Sequence, residues 1–310
     1  MTTYRQAAGD NQPAIANTIN NLANLLYHQP SHRSEAEQYY NEALTLFRKL
    51  AQQKPEIFEK DVAMTLNNLA ILLSDIPSRH SKAKQYYDEA LTIFCTLAQQ
   101  KPEIFEKDVA TTLTNLASLL DEYPSQCNNT EPYYHEALHI YRRLAQQHPD
   151  VFEQHIASTL HNFARRLAQD PPHRSDAEAY YHEALAIRRK LAQQHPDVFE
   201  QHVAHTLHNL ASLLSDDPSR RSDAEKYYGE ALAIRRKLAR LYDADIYEPK
   251  VAETLFNFAL FYYYWVKPAA ARPLAEEAAA LIAPYAESYP QYFGGLQQVI
   301  QELLNNLNSQ

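Results

Sequence analysis

The string His135-Glu136-Ala137-Leu138-His139 is spelled like a catalytic motif. On a helix, two histidines four residues apart share a face and can hold zinc, with the glutamate as general base. A second candidate is the run His202, His205 and His208, with His155 and His161 upstream, since imidazole titrates near neutrality and could serve a metal or a pH sensor. The third is a column of asparagines, Asn21, Asn68, Asn115, Asn162, Asn209 and Asn257. An amide carries a donor and an acceptor, so such a column can pair with the N–H and C=O groups of an extended peptide without reading its side chains. The other use of the same amides is a structural bond to the neighbouring helix. At about 0.5 to 1.5 kcal/mol net per hydrogen bond, such contacts barely offset the roughly 4 to 15 kcal/mol that association costs, so a peptide would need an apolar anchor as well.

The elements that carry these residues come from a repeat. The asparagines stand 47, 47, 47, 47 and 48 residues apart, each followed by Leu-Ala or Phe-Ala. Tyr39-Tyr40, Tyr86-Tyr87, Tyr133-Tyr134, Tyr180-Tyr181 and Tyr227-Tyr228 keep the same period, and LAQQKPEIFEKDVA occurs identically at 50–63 and 97–110. The register removes the zinc motif. Glu-Ala-Leu recurs at Glu42, Glu89, Glu183 and Glu230 with flanks Asn/Thr, Asp/Thr, His/Ala and Gly/Ala, so the two histidines are accidents on repeated text and no third ligand is signalled. Steps of three along a helix fall short of a full turn, so His202, His205 and His208 are expected to fan out as solvated polar residues rather than converge on a metal.

Each unit reads as two helices. Val62, Leu66, Leu69, Ala70 and Leu73 form one apolar stripe at helical period. Pro55 with Glu56 suits the first turn of that helix or of a separate short turn. The second helix is expected to start at Ser34, Ser175 or Ser222, each followed three residues later by Glu37, Glu178 or Glu225 as in a capping box. In the third unit Pro132 displaces that start toward Thr130. The expected units are 13–61, 62–108, 109–155, 156–202, 203–250 and 251–295 of a single domain spanning 1–310. After Gly294-Gly295 the stripe Leu296, Val299, Ile300, Leu303, Leu304 and Leu307 opposes a Gln/Asn-rich face, which reads as a solvating cap over 296–307.

Composition narrows the function. Only four glycines, Gly9, Gly229, Gly294 and Gly295, occur in 310 residues, and neither GxGxxG nor GxxxxGK[ST] is present, which argues against a glycine-cradled nucleotide site. A net charge of −9 gives no field for a phosphate backbone, so nucleic acid is not an expected partner. Two cysteines, Cys95 and Cys127, make no disulfide framework, and the start MTTYRQAAGDNQ lacks the apolar run of a secretory signal, so a cytoplasmic setting is expected and the sequon Asn128-Asn129-Thr130 would be idle. The apolar stretch 258–266 is about half the roughly 20 residues of a membrane span, so no membrane role is expected. No metal and no cofactor are expected.

Leu66-x-x-Leu69-Ala70-x-x-Leu73 followed by Ala83-x-x-x-Tyr87-x-x-Ala90-Leu91 resembles the tetratricopeptide repeat. The text HPDVFEQHVAHTLHNLA around Asn209 is similar to the kinesin light chain variety, with a longer unit than the standard 34 residues. The resemblance implies an all-α, right-handed superhelical solenoid of six helix pairs plus a C-terminal capping helix, a non-enzymatic scaffold whose first helices line a concave surface for an extended peptide. Periodicity turns the same face away from the core, and its residues diversify around the fixed asparagine: Asn20, Asn67, Thr114, His161, His208 and Phe256 at one position, Asn24, Ile71, Ser118, Arg165, Ser212 and Leu260 at another. Candidate ligand residues are therefore the six asparagines with His161, Arg165, His208, Phe256 and Leu260. Phe256 and Leu260 would supply the apolar anchor, or instead pack against the cap. Asp75, Asp121, Glu122 and Asp216 near the rim suggest a peptide with basic flanks. The Tyr-Tyr pairs read as core packing, and Arg33, Arg79, Arg174, Arg220 and Arg221 as solvated surface. The alternatives are a sensor of a small molecule or signalling peptide that closes the superhelix, and a protein, otherwise monomeric, that self-associates through its aromatic end.

Overall fold

The computed structural model describes residues 11–27, 29, 32–122 and 130–309. Gly9, Cys127, Asn128 and Asn129 lie outside them. Two compact units divide the chain, 1–159 and 160–310. The first contains α1 (Gln12–Tyr27), α2 (Arg33–Ala51), α3 (Pro55–Ser74), α4 (His80–Gln100), α5 (Pro102–Asp121), α6 (Glu131–Ala145) and the start of α7 (Pro149–Leu167). The second contains the rest of α7, then α8 (Arg174–Gln194), α9 (Pro196–Ser215), α10 (Arg221–Leu241), α11 (Ala244–Phe261), α12 (Pro268–Ser288) and α13 (Pro290–Asn308). From α1 to α6, and again from α8 to α13, each helix packs on its chain neighbours, and the first helices of successive pairs touch: α1 with α3, α3 with α5, α9 with α11 and α11 with α13. The fold is all-α and of the solenoid class.

The sequence makes these boundaries for identifiable reasons. Proline opens α3, α5, α7, α9 and α13, where its missing N–H is an orphan donor in any case and its fixed φ already suits a helix. Pro55 begins one continuous helix with no separate turn before it. No described residue has positive φ, so the scarcity of glycine and the absence of left-handed caps are one fact seen twice. Leu66, Leu69, Ala70 and Leu73 are completely buried, as are Ala83 and Ala90, the small residues of α4 that let the helices approach.

Three expectations about helix starts and linkers are corrected. The serines are not caps. His32, His173 and Arg220 hold the positions before α2, α8 and α10, and no side-chain cap bond forms there. The glutamates instead reach the next pair: Arg79 donates to Glu37 at 2.6 Å and Arg220 to Glu178 at 2.7 Å, while Glu225 accepts from the Tyr262 hydroxyl at 2.5 Å. Arg33 likewise pairs with Asp75 at 2.8 Å and Arg174 with Asp216 at 2.7 Å, so these loop arginines are inter-pair clamps rather than solvated surface. Lastly, Gly294 and Gly295 lie inside α13, which starts at Pro290. Thr130 does precede α6, with its hydroxyl donating to Asp121 at 2.6 Å.

Candidate functional site

From the second pair on, the first helix of each pair carries a threonine just before a core leucine, and Thr65, Thr112, Thr159, Thr206 and Thr254 are all buried. The hydroxyls of Thr65, Thr112, Thr206 and Thr254 bond back to the carbonyl four residues earlier. That rotamer sets the oxygen against the preceding pair. Thr65 Oγ1 lies 3.2 Å from Asn20 Oδ1, Thr112 Oγ1 3.4 Å from Asn67 Oδ1, Thr159 Oγ1 3.2 Å from Thr114 Oγ1, and Thr206 Oγ1 3.4 Å from His161 Nδ1. The diversified position Asn20, Asn67, Thr114, His161 is thus a joint between pairs. This corrects the expectation for His161 and His208, which are only 2% and 6% exposed and do not present their rings to an open groove.

The asparagines take part in the same joint. Asn68 Nδ2 donates to Asn24 Oδ1 at 3.1 Å, Asn209 Nδ2 faces His161 Nε2 at 3.2 Å, and Asn257 Nδ2 faces His208 Nε2 at 3.3 Å. Asn115 and Asn162 are half-buried on α5 and α7, and Asn21 is exposed on α1. The second tyrosine of each pair is core, with Tyr40, Tyr87, Tyr134, Tyr181 and Tyr228 all buried. Two of their hydroxyls bond to the first helix of the same pair: Tyr40 donates to Asn24 at 2.6 Å and Tyr134 to Asp121 at 2.7 Å. Burial pushes the Tyr40 phenol up to about 12.

Unit 2 gathers several of the candidates around one open groove of about 420 Å³. Arg165, Asn209, Asn257 and Leu260 line it, with Ser212 between them and Tyr264 and Trp265 at one end. Tyr264 and Trp265 belong to a π-helical turn, Tyr262–Val266, that links α11 to α12 and leaves both rings exposed. Arg221 lies over the Trp265 ring at 5.0 Å. Arg165 is exposed, and among the described residues no carboxylate pairs with it. Phe256 is absent from the groove: with Leu260, Tyr262 and Tyr263 it packs on Ala259, Ala271, Ala275, Leu303 and Leu307, the contact that seats α13. In unit 1, Asn24, Tyr27, Tyr40, Asn68 and Ile71 line a smaller cleft of about 300 Å³.

The acidic rim is already committed. Asp75 and Asp216 pair with Arg33 and Arg174, Asp121 accepts from Thr130 and Tyr134, and Glu122 lies 3.9 Å from His80. The expectation of basic flanks on a ligand loses its footing, since the charge left over in the groove is Arg165.

A second cleft in unit 2, about 230 Å³, shares no lining residue with the groove. His202 and His205 of α9, Arg235 of α10, and Tyr247, Lys250 and Glu253 of α11 line it. Arg235 is buried, donating to Thr254 Oγ1 at 2.5 Å, to the Lys250 carbonyl at 2.7 Å and to Glu253 at 3.2 Å. Arg188 is buried as well, donating to Thr206 Oγ1 at 2.5 Å and to the His202 carbonyl at 3.1 Å. Burial lowers the Arg188 guanidinium to about 10 and holds the histidines neutral: His202 falls to about 4, His205 and His208 to about 3, and His161 lies well below the usual range, with Arg188 or Arg235 adding to the effect in each. His208 is buried and His202 half-buried rather than solvated, whereas His205 is exposed as expected, with its ring centroid 4.5 Å from that of His161. Among the described residues no group of three histidine, cysteine or acidic side chains is placed to hold a metal. His135, Glu136 and His139 are exposed on α6. No helix among the described residues is long and apolar enough to cross a membrane.

The threonine column, the buried arginines and Trp265 were missed in the sequence reading. The threonines were legible, since they keep the same period as the asparagines. The arginines were legible only as exceptions: Phe47, Phe94 and Tyr141 hold the position that Arg188 and Arg235 take over.

The profile of the tetratricopeptide repeat matches residues 203–239, which cover most of α9 and α10. No curated protein sequence matches the chain. Among solved structures it is similar to the assembly chaperone of RpL4 (Acl4, residues 1–338), at 14% identity and TM-score 0.50, covering 95% of this chain and 99% of that one. It is also similar to Nro1, the hypoxic regulator of sterol synthesis described as a nuclear import adaptor, at 13% identity and TM-score 0.49, covering 96% of this chain and 93% of that one. At such identities the first likeness speaks for the helical-repeat fold alone.

Proposed function

We propose that the chain is a non-enzymatic protein-binding scaffold built from six tetratricopeptide-like pairs of the kinesin light chain variety, with the 47-residue unit read from the sequence and α13 as its cap. Its ligand is an extended peptide segment of a partner protein, held in the groove of unit 2. The observation that carries this reading is the convergence of Arg165, Asn209, Asn257 and Leu260 with Tyr264 and Trp265 on one open surface. Asn209 and Asn257 use amide donors within the joint but keep carbonyl oxygens for a peptide N–H. Trp265 and Leu260 supply the apolar contact that hydrogen bonds alone lack, at about 1.5 to 3 kcal/mol for a buried large side chain. The uncommitted guanidinium of Arg165 favours an acidic residue in the bound segment. Asn21, Asn68 and Asn115 would extend the asparagine column in unit 1, and Asn162 in unit 2. The assembly chaperone to which the fold is similar is a scaffold of this general kind. A cytoplasmic setting, protein partners and no nucleic acid belong to the same reading.

The test is a panel of extended twelve-residue peptides, half of them pairing an acidic residue with an aromatic one, titrated by fluorescence anisotropy. Binding by the wild type that weakens at least tenfold in both Arg165→Glu and Trp265→Ala, with helicity unchanged, supports the reading. Equal affinity in all three proteins would move the site off this groove.

A further inference from the structure

The cleft between α9, α10 and α11 is built differently from every corresponding place in unit 1, and the repeat register shows how. Lys250 occupies the position held by Asp61, Asp108, His155 and His202, one residue before the valine or isoleucine that starts the core stripe. Arg235 occupies the position held by Phe47, Phe94 and Tyr141. Two neighbouring sites have thus changed, one from carboxylate or imidazole to ammonium and the other from aromatic to guanidinium. The result is an enclosed surface with one carboxylate, Glu253, against Arg235 and Lys250, with buried Arg188 behind His202. Glu253 is half exposed and bonded to Arg235, so it neutralises that cation and leaves the Lys250 ammonium without a carboxylate at pairing distance among the described residues. Lys250 instead lies over the Tyr247 ring, 5.4 Å from its centroid. The other acids of this end are engaged elsewhere: Glu200 with Lys237 at 2.6 Å, Asp245 and Glu248 with the Tyr285 hydroxyl.

From this arrangement we infer that the cleft is an anion site taking a small oxyanion of the phosphate class, held by the Lys250 ammonium, the ring N–H groups of His202 and His205, and the field of Arg235 and Arg188. The chemistry fits in three respects. Neutral imidazoles each supply one donor without needing a counter-charge; His202 is half-buried and His205 exposed, and desolvation together with the nearby Arg188 holds both rings below their usual range. An ammonium partly withdrawn from water gains more from an anion than an exposed one does, and burial together with Arg235 already disfavours the charged Lys250. A volume of about 230 Å³ admits a tetrahedral oxyanion with room for the group to which it is attached. The site stands apart from the peptide groove, and neither depends on the other.

The same oxyanion could arrive as free phosphate or as a phosphorylated side chain, so the test has two arms. Inorganic phosphate and an N-acetyl phosphoserine amide are titrated separately by calorimetry into the full chain at constant ionic strength, with chloride as the balancing salt. The expected result is saturable binding of at least one of them that weakens tenfold or more in Lys250→Ala and in Lys250→Asp, the residue that stands at this position as Asp61 and Asp108. Tighter binding of the phosphoserine amide identifies a phosphorylated partner, and tighter binding of inorganic phosphate a free ligand. Circular dichroism checks that both variants are folded. Absence of saturable binding in both arms, or affinities in Lys250→Ala equal to the wild type, overturns the proposal.

Discussion

Acid should unfold unit 2 through its enclosed histidines, and the effect can be sized at one residue. His208 is held neutral by burial first and by Arg235 and His205 next, with a native value of about 3. In the unfolded chain it titrates near 6.5. Because the native value is depressed, the unfolded state binds the extra proton between these limits: stability is complete above pH 6.5 and is lost as pH falls toward 3. Each pH unit in that window costs about 1.4 kcal/mol, so His208 alone should remove about 2 kcal/mol between pH 6.5 and 5. His161 acts in the same direction, facing Arg188 from α8, His202 and His205 from α9, and Arg165 on its own helix. Hydrogen bonding gives the same sign, since protonation turns Nε2 of His208 into a donor pointing at the Asn257 amide, itself a donor. Asp61 and Asp108 do not share in the loss, because burial raises them and a raised carboxyl gains native stability as pH falls. Trp265, the sole tryptophan, lies in unit 2, so urea titrations followed by its fluorescence report on that unit. His208→Gln keeps an acceptor near Nε2 and removes the titration. Its stability should fall by about 2 kcal/mol less than that of the wild type between pH 6.5 and 5. Parallel curves for the two proteins would refute the linkage argument.

Other perturbations address the joints and the cap. Thr206→Val should cost about 1 to 3 kcal/mol, because it leaves the buried Arg188 without its closest acceptor; urea denaturation measures it, and a neutral result would mean that the threonine column is not structural. Arg188→Phe, which installs the residue found at Phe47 and Phe94, should be neutral or stabilising by about 1 to 4 kcal/mol, as buried ions replaced by apolar side chains often are, and a large loss in melting temperature would speak against it. Removing α13 from Pro290 onward uncovers Ala259, Ala271, Ala275 and Phe256, so aggregation should rise and protection from hydrogen exchange should fall first in α12. Tyr289→Ser with Tyr292→Ser should abolish any concentration-dependent sedimentation, because both rings are exposed beside the cap; dimers that persist would place self-association elsewhere.

The fold was legible because the repeat states each helix several times. Leu66, Leu69, Ala70 and Leu73 are buried as their spacing predicts, and Pro55, Pro102, Pro149 and Pro196 open first helices, where the missing N–H would have had no intrahelical partner. The serine caps failed for a physical reason. Ser-x-x-Glu is satisfied equally well by a glutamate that turns outward to an arginine of the following pair, and Arg79 and Arg220 are present to take it. Sequence distance conceals this, because the partners are 42 residues apart. Arg165, Asn209, Asn257 and Leu260 do meet on one surface, while Phe256, three residues from the buried alanine that seats the last helix, is drawn into packing.

Variation within the repeat was the more misleading signal. A position that changes from Asn20 and Asn67 to Thr114 and then to His161 and His208 reads as recognition, on the argument that scaffold recurs and ligand contacts diversify. At the first four of these positions, what recurs is the threonine that faces them from the next pair. A hydroxyl both donates and accepts, so one fixed threonine tolerates an amide, another hydroxyl or an imidazole opposite it. The joint therefore holds its register while its side chains drift. Drift has consequences only where charge enters: an amide at Asn20 is indifferent to pH, whereas an imidazole at His208 beside Arg235 is not. The same reasoning separates the two units. In unit 1 the second-helix position behind the threonine is Phe47, Phe94 or Tyr141, and the threonine needs no ionic neighbour; in unit 2 it is Arg188 or Arg235, and Thr206 and Thr254 become acceptors for a buried cation. Unit 2 thereby combines an acid-labile joint, a cationic cleft and the groove with the uncommitted Arg165, all from substitutions that leave the apolar stripe intact.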